Sequence, residues 1–406
     1  MINSSPIKSH RVGYAYSANY TKLNDLLPSN IGRASLIDDL IRAYNLLPNC
    51  DIIAPSFASK LQLCSYHDQD FIAFLLGEEI AIGDNEEDDK EDDKEDDLER
   101  RLEQRYGVEF DCPVFSGLDK YIQALAGTTI ACARYVSQRQ ESLEKQKIAI
   151  NWHGGRHHAG KDQASGFCYV NDIVLGILEL RKTFDKVMYI DLDLHHGDGV
   201  EKAFAHSKKV LTASIHRYDR GFFPGTGNTK FNGKGKGIGY SINLGLRPGL
   251  SDASHHRILN EVMRPAYVAF KPDAVVLQCG ADGLARDPAK EWNLSVKELA
   301  KSIVEIINWG TQPVILLGGG GYNHTDSARL WTNVLGRLTL SNEEIEKWDL
   351  IPETANCIDE YAEDGYAFYV DGEVRSVSDR NLHDGYLDRV IEFAKNQLDL
   401  IDAAEL

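Results

Sequence analysis

With 406 residues, 43% hydrophobic and 26% charged, the chain can bury a large core and does not read as a disordered or fibrous polypeptide. No run of 18 or more apolar residues occurs, which argues against a helical membrane span. The net charge of −18 argues against direct nucleic-acid binding and is compatible with basic protein partners.

The stretch MINSSPIKSHRVGYAYS lacks the apolar core of a secretion signal. Seven cysteines, an odd number, fit free thiols in a reducing compartment. Arg33 to Leu47 spaces its apolar residues as an amphipathic helix, Ile52 to Ala54 is a short strand, and Asp68 to Leu76 a second helix. Between Asp84 and Asp97 stand eleven acids and two lysines, a net of −9 against −18 for the chain. A block of that kind cannot bury apolar surface and is expected to be a disordered surface insertion. Helices are predicted at Asp97 to Tyr106 and Ser116 to Ser137.

From Lys147 onward the pattern alternates. Strands are predicted at Lys147 to Trp152, Lys186 to Leu194, Val210 to His216, Gly239 to Leu244, Ala274 to Gly280 and Val314 to Leu317. Helices are predicted at Phe167 to Thr183, Asp252 to Phe270, Ser295 to Trp309 and Ser327 to Leu338. Each polar constellation follows the end of a strand, the pattern of a doubly wound, mostly parallel α/β sheet with its site at the carboxyl edge. No repeat or linker divides the chain, so residues 1–406 read as one domain. Its acidic segment 351–406 is expected to pack peripherally.

The densest chemistry lies in YIDLDLHHGD, Tyr189 to Asp198, with three aspartates and two histidines after an apolar run. On an extended segment Asp193 and His195 point to one face, an oxygen and an imidazole nitrogen converging as half a metal site. Asp282, after the 274–280 strand, is the candidate third ligand. A catalytic zinc keeps three protein ligands and an open position, and this oxygen-rich set also suits ferrous iron. His157 and His158 lie on a glycine-rich loop and are the right type for proton transfer near neutral pH. Asp191 and Asp198 are not needed as ligands and are available to hold the two imidazoles. Tyr322 follows four glycines, where backbone can approach a ligand closely and a phenol can donate to an oxyanion.

Taken together and in order, GGRHHA, SGFCYVND, DLDLHHGDG, GFFPGTG, QCGADG and LGGGGYN resemble the class I zinc-dependent histone deacetylases, from about Arg33 to Leu338. Arg156 and the pair Glu291-Trp292 resemble the fungal Hos-type branch, associated with deacetylating a cohesin subunit. The resemblance implies an arginase-like α/β fold with a central eight-stranded parallel sheet. It also implies hydrolysis of acetyl-lysine on histones or a cohesin subunit, in the nucleus and cytoplasm. Carried over motif by motif, Asp193, His195 and Asp282 fall on the zinc ligands. His158 falls on the general base and acid, held by Asp198, with His157, held by Asp191, as its electrostatic partner. Tyr322 falls on the group that polarises the amide carbonyl. Phe167 and Phe223 match the aromatics around the acyl-lysine stem, with Gly166 and Ala289 on the tunnel wall, and Asp111 matches the rim carboxylate. Potassium is implied at Asp191, Asp193, His195, Ser214 and Ile215, and at a second site on Phe204, Ser207, Val210 and Tyr240.

Departures from the family pattern are informative. Arg156 stands where class I members usually carry a tryptophan lining the acetate exit pocket, and Arg33 matches an exit-channel arginine. Ala289 replaces a larger Leu or Met, and Arg286 replaces a glycine. Pro288 and Thr325 occupy positions where corepressor-dependent relatives hold an inositol phosphate with arginines, so that route of activation is not expected here. Two other readings share the motifs: an acetylpolyamine amidohydrolase, and a catalytically silent binding module.

Overall fold

The apolar runs become strands buried on both faces. A computed structural model describes residues 10–78, 100–138, 145–370 and 378–403. Its strands are β1 (His10–Ala15), β2 (Asp51–Ile53), β3 (Gln146–Asn151), β4 (Val187–Asp191), β5 (Val210–Arg217), β6 (Ser241–Leu246), β7 (Ala274–Gln278) and β8 (Val314–Leu317). They form one sheet in the order β2-β1-β3-β8-β7-β4-β5-β6, every neighbouring pair parallel. An all-parallel sheet needs helices on both faces, and β3 to β8 are accordingly buried at every residue. This is the arginase-like architecture expected from the motifs.

The strand order positions the site. β3 and β4 are consecutive in the chain, yet β8 and β7 lie between them in the sheet. The loops after these four central strands therefore meet at one stretch of the carboxyl edge, around the crevice where such sheets bind ligands. The helices that cover the sheet are cut to fit it. In Val296–Ile307, for example, Val296, Leu299, Ala300, Ile303, Ile306 and Ile307 face inward, and Ser295 caps the first turn by accepting Glu298 N–H at 3.2 Å. Each large aliphatic residue so buried stabilises the fold by about 1.5–3 kcal/mol.

Several expected boundaries move. β1 was not foreseen from its sequence HRVGYA, which has neither alternation nor a continuous apolar run. Its Gly13 is required by packing, because a Cβ there would stand 2.8 Å from the Tyr135 ring. The helix expected from Phe167 begins only at Asp172, where Asn171 caps it by accepting Val174 N–H at 3.0 Å. The helix expected at Asp252 to Phe270 contains a π-helical turn, Leu259–Met263, just before Pro265. The segment beyond Ile351 includes the helix Tyr386–Ala403 on the outer strand β6, and it buries Tyr361, Phe368, Leu387 and Ile391 in the main core. The acidic block at 84–97 lies outside the described residues, and of the helix expected at 97–106 residues 100–106 are helical. Among the described residues no helix is long and apolar enough to cross a membrane.

Candidate active site

β4 stops at Asp191, three residues short of the expected Leu194, because side chains take over from the sheet as hydrogen-bond acceptors. Asp191 Oδ1 accepts Asp193 N–H at 3.1 Å, and Asp193 Oδ1 accepts His195 N–H at 3.0 Å. Asp193 and His195 thus converge through a polar turn, not through the two-residue period of a strand. Asp282, from the loop after β7, completes the group. One ligand-type atom from each of the three lies within 4.8 Å of the others. His195 Nδ1 is 2.9 Å from Asp282 Oδ2 and 3.3 Å from Asp193 Oδ1.

This donor set fits a divalent cation. Both carboxylates are buried, and Asp282 is pushed up to about 7, first by burial and then by the charge of Asp193. Two mutually repelling carboxylates sharing one imidazole in a dry site call for positive charge. The other lone pairs are spoken for: Asp193 Oδ2 accepts from Gln278 Nε2 at 2.7 Å and Gly320 N at 2.8 Å, and Asp282 Oδ1 from Leu194 N at 2.9 Å. Gln278 was not singled out from sequence. The available signal was a polar residue ending an apolar strand four positions before Asp282.

The loop after β3 brings the histidine pair alongside. His157 Nδ1 lies 2.8 Å from Asp191 Oδ2, and Tyr189 Oη donates to the same oxygen at 2.6 Å. His158 Nδ1 lies 3.0 Å from Asp198 Oδ1, whose other oxygen accepts Lys202 Nζ at 2.6 Å. The His158 ring stands 6.0 Å from that of His195, edge to face. Gly166, at φ +54°, makes room for it, since a Cβ would stand 2.5 Å from His158 Cδ2.

The glycines after β8 carry the chain past the triad to Tyr322. A Cβ at position 320 would stand 2.3 Å from Asp282 Oδ2. Asp287 fixes the turn by accepting Tyr322 N–H at 2.7 Å, Asn323 N–H at 3.2 Å and Ala289 N–H at 2.9 Å. Asp287 also escaped notice in the sequence, where it reads as a loop acid. Burial, then the charges of Asp282 and Asp193, hold the Tyr322 phenol well above its usual range, so it stays a donor.

The aromatics stand at the opening. Phe167, at φ +63°, meets Tyr322 edge to face at 5.6 Å, and Phe223 meets His158 at 4.8 Å. Phe223 is 40% exposed, whereas Phe222 stacks on the His195 imidazole at 5.4 Å. Asp111 is exposed and accepts Gly166 N–H at 3.0 Å. Arg33 donates to the carbonyls of Gly319 and Gly321, and Arg156 to that of His153. Ser214 lies opposite Asp191 in the sheet, next to Ile215. Of the backbone carbonyls expected to face a second cation, those of Phe204 and Tyr240 already accept Ser207 N–H and Thr212 N–H, leaving each one lone pair.

An all-parallel sheet that carries at its carboxyl edge a histidine pair and three residues able to hold a divalent cation is an arginase-like architecture. Residues 27–338 match the family model described as "Histone deacetylase domain". The chain is 42% identical over 337 residues to "Histone deacetylase 8" of Xenopus tropicalis, covering 81% of this chain and 85% of that protein. It is 38% identical over 402 residues to "Histone deacetylase 8" of Danio rerio, covering 98% and 97%. To "Histone deacetylase 1" of Homo sapiens it is 42% identical over 305 residues, 75% of this chain and 59% of that protein. The chain belongs to the histone deacetylase family.

Proposed function

We propose that this lysine deacetylase hydrolyses Nε-acetyl-lysine in proteins with a cation held by Asp193, His195 and Asp282, zinc by preference and ferrous iron as a substitute. The observation that carries the reading is the meeting of that triad with the His158–Asp198 pair at one sheet edge. When bound, zinc supplies Lewis acidity toward the amide oxygen and lowers the pKa of water. The remaining chemistry belongs to the chain. Phe167 and Phe223 enclose the four-methylene stem, each buried methylene contributing about 0.8 kcal/mol. Gly166 and Ala289 line the passage, and Asp111 binds the substrate backbone at the rim.

Neutral His158, oriented through Nδ1 by Asp198, takes a proton from the attacking water at Nε2. Tyr322 donates its hydroxyl hydrogen bond to the carbonyl oxygen as negative charge gathers there. His158 returns the proton to the amine nitrogen as the C–N bond breaks, giving lysine and acetate. His157, on Asp191, sets the field beside it. Asp191, Asp193, His195, Ser214 and Ile215 would hold one potassium ion, and the carbonyls of Phe204, Ser207, Val210 and Tyr240 a second, each supplying oxygen ligands to a hard cation.

The physiological substrates are acetylated histones or a cohesin subunit, met in the nucleus and cytoplasm by an acidic surface suited to basic segments. The test is acetate release from an acetyl-lysine peptide against acetylspermidine by the zinc-loaded protein. Faster turnover of the peptide is expected, and turnover confined to acetylspermidine overturns the reading.

A further inference from the structure

Asp198 orients His158, and it has a second partner to which the hydrolysis gives no task. Its carboxylate belongs to the first residue of the helix Asp198–Phe204, and Lys202 lies one turn further along. Oδ1 of Asp198 is 3.0 Å from His158 Nδ1, and Oδ2 accepts Lys202 Nζ at 2.6 Å. Among the described residues no other donor reaches Oδ2. The chain of hydrogen bonds runs outward, its side chains 5%, 10% and 65% exposed from His158 through Asp198 to Lys202.

A cavity of about 460 Å³ accompanies it. His158, Asp198 and Lys202 line this cavity together with Tyr66, Lys161 and Gln163. Lys161, 63% exposed and paired with Asp68, marks its mouth beside Lys202. Solvent therefore reaches the neighbourhood of the proton-transfer pair from the side of the helix Asp198–Phe204.

The backbone around the pair is already fixed. Gly199 N–H donates to His157 O at 3.0 Å, and a Cβ at position 199 would stand 2.6 Å from that oxygen. What the backbone does not set is the plane of the Asp198 carboxylate. An ion pair one helical turn apart contributes little when both ends are in water. Here only the ammonium is. Burial would raise the Asp198 carboxyl, and His158 and then Lys202 more than offset it, holding it well below its ordinary range.

We propose that Lys202 is a positioning residue for the hydrolysis, its ammonium locking the Asp198 carboxylate so that Oδ1 stays on His158 Nδ1. A donor on each oxygen leaves the carboxylate one orientation. With Oδ1 alone bonded, it can turn about its Cβ–Cγ bond and take water from the cavity at Oδ2. The imidazole then loses the fixed aim of Nε2 toward the attacking water, and proton transfer suffers from small misplacements. The effect on rate rests on the deacylase reading above; the hold on the imidazole does not.

The test uses the full-length, zinc-loaded protein and an acetyl-lysine peptide. Lys202→Met keeps an unbranched stem and removes the charge, and Lys202→Arg returns a charged donor to Oδ2. In Lys202→Met kcat is expected to fall about fivefold to tenfold, with KM, zinc content and melting temperature at wild-type values. Lys202→Arg should recover most of the loss. Added to Asp198→Asn, Lys202→Met should change kcat by less than about twofold, because the two residues act as one unit. A second readout is independent of turnover. With ¹⁵N-labelled histidine, the Nδ1 proton of His158, identified by its loss in His158→Gln, should give a sharp downfield signal in wild type and Lys202→Arg. In Lys202→Met that signal should broaden or move upfield. Wild-type kcat in Lys202→Met, a loss as large on top of Asp198→Asn as alone, a loss that arginine does not recover, or an unmoved proton signal each overturns the positioning role. A wild type that releases no acetate sinks the deacylase reading, and the proton signal still decides whether Lys202 holds Asp198.

Discussion

The His157 and His158 rings lie with centroids 3.9 Å apart, tilted 49° to one another, and their surroundings push them in opposite directions. Burial disfavours the charged form of both. At His157 the carboxylates of Asp191 and Asp193 outweigh it and raise the imidazole to about 9. At His158 burial and the charge of His157 outweigh Asp198, and the imidazole falls to about 3. One motif thus yields a cation and a free base side by side at neutral pH, the separation that acid–base catalysis needs.

The pH dependence of activity follows from that split. His158 accepts a proton only when neutral, so the acid limb of kcat/KM lies below the ordinary histidine value of about 6.5. The charge of His157 depresses His158, so His157→Asn moves the limb to higher pH. Asp198 raises His158, so Asp198→Asn moves it to lower pH and slows the reaction by weakening the base. Rate profiles of the three zinc-loaded proteins check this; a limb that moves down in His157→Asn contradicts it.

Asp282→Asn separates metal binding from folding. Without a cation the wild type keeps Asp193 and Asp282 facing each other in a buried site, so the variant loses a like-charge contact. The metal-stripped variant is therefore expected to melt at or above the metal-stripped wild type. Zinc at a hundred times its Kd stabilises the wild type by about 2.7 kcal/mol, a gain the variant should not show. Melting curves with and without chelator, beside the measured zinc content, decide it.

Tyr322→Phe removes one hydroxyl and leaves the turn that Asp287 fixes through the backbone. Loss of a single oxyanion donor costs about 10²–10³ in kcat. Zinc content and melting temperature are expected to stay at wild-type values while kcat falls by that factor. A drop in zinc content instead would give the phenol a structural task.

Much of this was legible because a parallel sheet writes itself as apolar runs ending in polar loops. The runs at β4, β7 and β8 mark the strands whose ends carry Asp193, His195, Asp282 and Tyr322, and the glycines mark where backbone passes close to Asp193 and Asp282. What was not legible depends on packing between distant segments. β1 carries Arg11 and Gly13, and only the ring of Tyr135 and the neighbouring strands explain them. Gln278 and Asp287 look like ordinary polar residues until the oxygens and N–H groups they serve are placed. Phe222 and Phe223 are indistinguishable as text, yet one stacks on His195 and the other stands edge-on to His158.

Gly166→Ala tests whether the site's geometry is set by that close passage. At φ +54° alanine costs about 1–2 kcal/mol from backbone alone. Its Cβ would also stand 2.5 Å from His158 Cδ2 and 2.9 Å from Phe223 Cε1, so the imidazole must shift from Asp198. Gly77→Ala is the control: at φ +69° it carries the same kind of backbone strain, with nothing within 4 Å of the added carbon. Both variants should lose similar stability in urea unfolding. Only Gly166→Ala should lose kcat, by about 10²-fold, because displacing a proton-transfer group by an ångström is enough for that. Equal kcat in the two variants would show that His158 tolerates the displacement and that Gly166 serves the backbone alone.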